Sequence, residues 1–192
     1  MPEIDKTSLC NQIRATILQY LSEWLNSPYL WLQEIDVQIE LAIRISQILR
    51  FKGIDTIEAQ HTHCSGYRDF SRLTCEPYVV LKQPIKYAHP DIVIWDGQDK
   101  HDFNNNENDE NRTIDTINSG KWPIIWVCEI KYTAEKPDDL DKNRLESILD
   151  NGIAFEACWL KMQLGKNILN DEISLKNPKR NLWIFEAKKS EK

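Results

Sequence analysis

Apolar residues recur at every third or fourth position along the N-terminal part of the chain. Leu9, Ile13, Ile17, Leu18, Tyr20 and Leu21 form one such stripe, which predicts a helix from a Thr7 or Ser8 cap to about Trp24. Asn26-Ser27-Pro28 breaks it, so residues 1–28 read as an N-terminal helical segment. A second helix is expected from about Leu32 to Phe51, ended by Gly53. The rhythm then changes. Thr56 to Thr62 has strand character, residues 64–88 read as irregular, and Tyr78-Val79-Val80-Leu81 forms a short strand within them.

Two compact apolar runs follow. Pro90 to Trp95 is a strand closed by the turn signal Asp96-Gly97, and Pro123 to Tyr132 is apolar on both faces, as a strand covered by helices should be. Between them, Gln98 to Lys121 is rich in Asn, Asp and Glu and nearly empty of apolar residues. It reads as a mobile acidic hairpin insertion. After the loop Ala134 to Pro137, Asp138 or Asp139 would cap a helix carrying Leu140, Leu145, Ile148 and Leu149, and Gly152 would end it. Ile153 to Gln163 fits a strand or a helix. The glycine stop before it favours a strand. Asn170 to Arg180 reads as polar connection, and Leu182 to Phe185 as a last strand. No internal repeat is visible. These elements predict one α/β domain over residues 1–192, with a mixed central sheet between helices.

Composition narrows the class. The 192 residues are 41% hydrophobic and 28% charged, with a formal net charge of -6, which predicts a globular domain with a substantial core. No apolar run reaches the length of a membrane span. Met1-Pro2-Glu3-Ile4-Asp5 lacks the basic and apolar parts of a secretory signal. The five cysteines show no CxxC spacing, so a reducing, cytoplasmic setting is expected. The acidic balance argues against tight nucleic-acid binding by the chain alone, and favours a partner subunit.

The candidate chemistry lies on the two compact strands. Asp91 opens the first, and Glu129 and Lys131 lie near the end of the second. Residues two apart on a strand share a face, so Glu129 and Lys131 point the same way. Antiparallel pairing of the two strands would bring Asp91 to them. Two carboxylates and an ammonium at one spot suit a divalent cation and the water it activates. The second helix adds an acid. At about 100° per residue, Leu41 and Ile45 fall within about 20° of Glu34, whereas Glu40 lies about 120° away, toward the solvated side. Glu34 therefore sits on the apolar stripe. A paired or metal-linked carboxylate, or a first-turn acid pointing past the core, would account for it.

This order resembles the PD-(D/E)xK nuclease superfamily. It has a helix acid (Glu34), a strand opening Pro90-Asp91, a strand ending Glu129-Ile130-Lys131, then a helix and a further strand. The resemblance spans residues 30–165 and implies the restriction endonuclease-like fold with an αβββαβ core. The gap between Asp91 and Glu129 is longer than in compact members, and the insertion accounts for it. By resemblance, Asp91 and Glu129 would hold Mg2+ or Mn2+, the Ile130 carbonyl would add a ligand, and Glu34 would hold a water of the ion. Lys131 would orient the attacking water and stabilise developing charge. The implied activity is that of a Mg2+-dependent endonuclease, a hydrolase of phosphodiester bonds in DNA rather than RNA, in a defence, mobile-element or repair setting. Such enzymes often act as homodimers. A catalytically inactive or regulatory subunit on the same scaffold is the alternative, since fold does not dictate function. In a purely structural reading, Asp91 simply ends a turn and Glu129 with Lys131 is a same-face ion pair.

Other residues carry further readings. Lys142 and Arg144 could reach phosphates, or Lys142 could pair with Asp138 or Glu146. Tyr67, Arg68 and Arg72 could follow a nucleic-acid strand. Trp95, Trp126 and Trp183 read as core, and Trp24, Trp31 and Trp122 as interface candidates near element boundaries. His61, His63, Cys64 and Cys75 could form a zinc site, although their spacing matches no standard finger; buried thiols near a strand end are the alternative. A zinc site requires metal in the purified protein that Cys64→Ala loses. Equal metal content in both proteins would exclude it.

Overall fold

The computed structural model describes residues 4–28, 33–53, 73–75, 79–80, 87–88, 90–96, 124–133 and 140–190. Two helices come first, α1 (Lys6–Asn26) and α2 (Glu34–Phe51). Strands β1 (Leu73–Cys75), β2 (Val79–Val80), β3 (Tyr87–Ala88), β4 (Ile92–Trp95) and β5 (Ile124–Thr133) follow. Then come helix α3 (Leu140–Asp150) and strands β6 (Ala154–Gly165), β7 (Glu172–Lys179) and β8 (Leu182–Ser190). A six-stranded sheet has the order β1-β4-β5-β6-β8-β7, and β2 and β3 form a separate pair. β1, β4 and β5 are antiparallel neighbours, β5, β6 and β8 run parallel, and β7 returns antiparallel along the outer edge. The protein is thus α/β with a mixed sheet. Among the described residues no helix is long and apolar enough to cross a membrane.

Helices cover both faces because the strands are apolar on both. α1 and α2 pack on Ile92, Ile94, Trp126, Cys128, Ile130, Leu160 and Phe185. Leu145 and Ile148 of α3 pack on the opposite face, against Val93, Val127, Ala157, Trp159 and Ile184. The β4–β5 pairing shifts register between Ile94 and Trp95 of β4, so that Trp95 pairs with Ile124. The irregularity lets Ile125 and Trp126 both enter the α1/α2 core while Ile124 and Val127 enter the α3 core.

Several local expectations change. Asp5, not Thr7 or Ser8, caps α1, accepting from the Ser8 N–H at 2.9 Å; a carboxylate three residues before an unpaired helical N–H is well placed to do so. Gly53 and Gly152 follow α2 and α3 with φ of 65° and 67°, as glycine stops should. Ile153–Gln163 resolves as strand β6. Asn170–Arg180, read as connection, contains β7. Its Glu, Lys and Asn residues hide the strand, which is an exposed edge held by its ladder to β8 rather than by burial. Residues 64–88, read as irregular, contain β1 and β3. These are too short to show a period in the sequence. Trp24 is fully buried, edge-on to Tyr132 with ring centroids 6.1 Å apart, so it belongs to the core. Trp31, Trp122, Thr56–Thr62, His61, His63, Cys64, the loop at 67–72 and the 98–121 insertion lie outside the described residues.

One ion pair ties α1 to the sheet. Glu156 of β6 is 4% exposed and pairs with Arg14, whose guanidinium also lies 4.4 Å from the Trp183 ring centroid. Burial raises the Glu156 carboxyl, and the Arg14 hydrogen bond opposes this. Removing one partner of a buried pair strands the other. Arg14→Ala should therefore cost about 3 kcal/mol in urea unfolding, and a loss within experimental error would show that the pair contributes nothing.

Candidate active site

β4 begins at Ile92, which pairs with Cys128, so Asp91 stands directly before Glu129 on the facing strand. Beyond that point β5 continues to Thr133, with no strand beside that edge among the described residues. Its outward N–H groups need acceptors. Asp91 Oδ2 accepts from the Ile130 N–H at 2.6 Å, and Glu34 Oε2 from the Tyr132 N–H at 3.2 Å. Two acids thus cap the open edge of the strand. In a strand the N–H and C=O of one residue face the same edge, so the Ile130 carbonyl also faces this notch.

The flanking helices supply the rest. Glu34 is the first residue of α2, on the line of its buried stripe Val37, Gln38, Leu41 and Ile45, just beyond the core. One turn later, buried Gln38 donates to the Asp91 carbonyl at 2.7 Å and holds that backbone in place. Lys131 Nζ lies 3.3 Å from Glu34 Oε1 and 3.5 Å from Asp141 Oδ2 of α3. Asp141 is buried and also accepts from Arg144 at 3.0 Å. The structure therefore brings Glu34, Asp91, Glu129 and Lys131 together. Glu40 pairs instead with Arg44 at 2.7 Å on the outer face of α2. Lys142 pairs with Glu146 at 3.6 Å, the ion pair expected as its structural alternative.

The sequence motifs do not single out Gln38 and Asp141, yet both leave a trace in the pattern. Asp141, Leu145 and Ile148 follow helical spacing, which puts an acid on a buried face. Gln38 interrupts an apolar stripe one turn after Glu34.

The electrostatics are those of crowded acids. Burial pushes Glu129 up to about 9, and repulsion from Asp91 and Asp141 adds to it, against Lys131 and Arg144. Burial likewise lifts Asp91 to about 6, opposed by the Ile130 N–H. At neutral pH the buried Glu129 carboxyl therefore keeps its proton. Burial would lower the Lys131 ammonium, but Glu34 and Asp141 outweigh it and hold it above its ordinary value.

A hard divalent cation fits this donor set. Glu129 Oε1 is buried with no hydrogen-bond partner among the described residues. A cation would also relieve the repulsion between the two carboxyls. Among the described residues no three His, Cys, Asp or Glu side chains form a metal-holding group. An ion here would therefore rest on Asp91, Glu129 and the Ile130 carbonyl, with water completing the shell, as Mg2+ tolerates.

Comparison with protein families, curated proteins and solved structures finds no match for this chain.

The raised Glu129 carboxyl makes a pH-dependent prediction. Below about 4.5 both folded and unfolded states hold its proton. Between about 4.5 and about 9 only the unfolded state releases it, so wild type loses stability as pH rises. Glu129→Gln does not carry this cost. In EDTA, the stability of Glu129→Gln relative to wild type should grow across that window, by at most about 1.4 kcal/mol per pH unit. A difference independent of pH in urea titrations would refute the protonated Glu129.

Proposed function

We propose that this chain is a metal-dependent nuclease that hydrolyses phosphodiester bonds in DNA, built on the restriction endonuclease-like fold. The observation that carries the reading is the meeting of Asp91 and Glu129 across β4 and β5, with Lys131 two residues further on between Glu34 and Asp141. The element order α2-β1-β4-β5-α3-β6 supports it, since it follows the αβββαβ order of that fold.

Asp91, Glu129 and the Ile130 carbonyl would hold Mg2+ or Mn2+. The chemistry such an ion supplies when bound is charge neutralisation at the phosphate and acidification of a water. Lys131 would orient the attacking water and offset the charge that builds on the phosphorus oxygens. Its ammonium stays protonated for this task. Glu34 and Asp141 position it from opposite helices, and Gln38 positions the Asp91 backbone. Glu34 acts through Lys131, because its two oxygens are engaged by Lys131 and the Tyr132 N–H.

The same ion pairs favour a second reading. With Lys131 committed to two carboxylates, the site could be a structural relic in an interaction subunit. Labelled single- and double-stranded DNA and RNA, incubated with Mg2+, Mn2+ or EDTA, separate the two. The nuclease reading expects cleavage only with metal, lost at least a hundredfold in Asp91→Ala and Lys131→Ala while circular dichroism stays native. Variants as active as wild type would overturn the assignment. A wild-type protein that cuts none of the four substrates but retains a co-purifying partner would support the interaction subunit.

A further inference from the structure

Lys131 does not stand alone on its face of the sheet. In the parallel ladder it pairs in register with Lys161 of β6, and Lys161 pairs with Glu186 of β8. Strand spacing puts the two lysine Cβ atoms roughly 4.8 Å apart. Like charges side by side on a sheet cost stability, so packing gives no reason for this placement. Lys161 is also held firmly. Its ammonium lies 4.4 Å from the centroid of the buried Trp159 ring and pairs with Glu186. Glu186 serves a second cation as well, Lys176 of β7 at 2.7 Å. One carboxylate therefore faces two ammoniums. Only at Glu186 do the cations outnumber their carboxylate partner. Side-chain exposure along the row is 36% for Lys131, 20% for Lys161 and 59% for Lys176.

We propose that Lys161 is a second phosphate-binding residue of the site, and that the substrate backbone crosses the sheet along Lys131, Lys161 and Lys176. This inference rests on the nuclease reading. Lys161 contacts a phosphate beside the one attacked, and Glu186 keeps its ammonium aimed while no substrate is bound. A cross-strand ion pair alone explains the contact between Lys161 and Glu186, but not the lysine placed beside Lys131.

The test is the salt dependence of kcat/KM for a short labelled DNA duplex with Mg2+. Wild type, Lys161→Ala, Lys161→Arg and Glu186→Gln are compared. Glu186 retains Lys176 in Lys161→Ala, so that variant should fold, and its melting curve checks this. Lys161→Ala should raise KM about tenfold at low salt. It should also flatten the slope of log kcat/KM against log salt by about one. Lys161→Arg should restore the slope, and Glu186→Gln should lower KM. If wild type cleaves and Lys161→Ala keeps the wild-type KM and slope, the proposal falls and the nuclease reading stands. If wild type cleaves no nucleic acid, both fall.

Discussion

The register of β4 against β5 is the constraint on which the site depends. Ile92 pairs with Cys128, and one step further Asp91 meets Glu129. A slip of one residue would turn the side chains of β4 to the opposite faces. Asp91 would then leave Glu129, and Ile92 and Ile94 would leave the α1/α2 core. The apolar residues that fill the core therefore also hold the acids together. The short length of β4 matters equally. Because it starts where it does, β5 extends past it, and its edge receives Asp91 and Glu34 in place of a strand.

This arrangement has an energetic cost, and that cost is informative. Two buried carboxyls repel, one keeps its proton at neutral pH, and one of its oxygens has no partner among the described residues. A fold selected for stability alone would put an apolar residue at Glu129, as it does at Val127 on the same face. Lys131 and Lys161, side by side on adjacent strands, make the same point with opposite sign. Acids crowded at one end and cations along the row give the two ends opposite demands. The inner pair would need a cation, and the outer row would supply its own.

Much of this could be read from residue order because it is local. Helix periodicity placed Glu34 on the stripe that leads into the site, and strand alternation placed Glu129 and Lys131 on one face. Antiparallel pairing of the two apolar strands was an expectation that the sheet bears out. Other features carried little local signal. β7 is a strand because β8 lies beside it, and its composition resembles that of a loop. Asp141 and Gln38 are polar residues on otherwise apolar helix faces. Their significance appears only when their partners, Lys131 and the Asp91 carbonyl, are known.

The sequence by itself determined the α/β class, the order of the principal elements and the identity of the acids and lysine that could do chemistry. Periodicity, glycine stops and turn signals act over one or two turns of chain, so they are written in neighbouring residues. The tertiary structure alone decided that Asp141 reaches Lys131 from α3, that Lys161 lies beside it on β6, and that Asp91 and Glu34 share the open edge of β5. Those contacts join segments distant in sequence. They are set by strand register and by which helix covers which face, and the whole core chooses both at once.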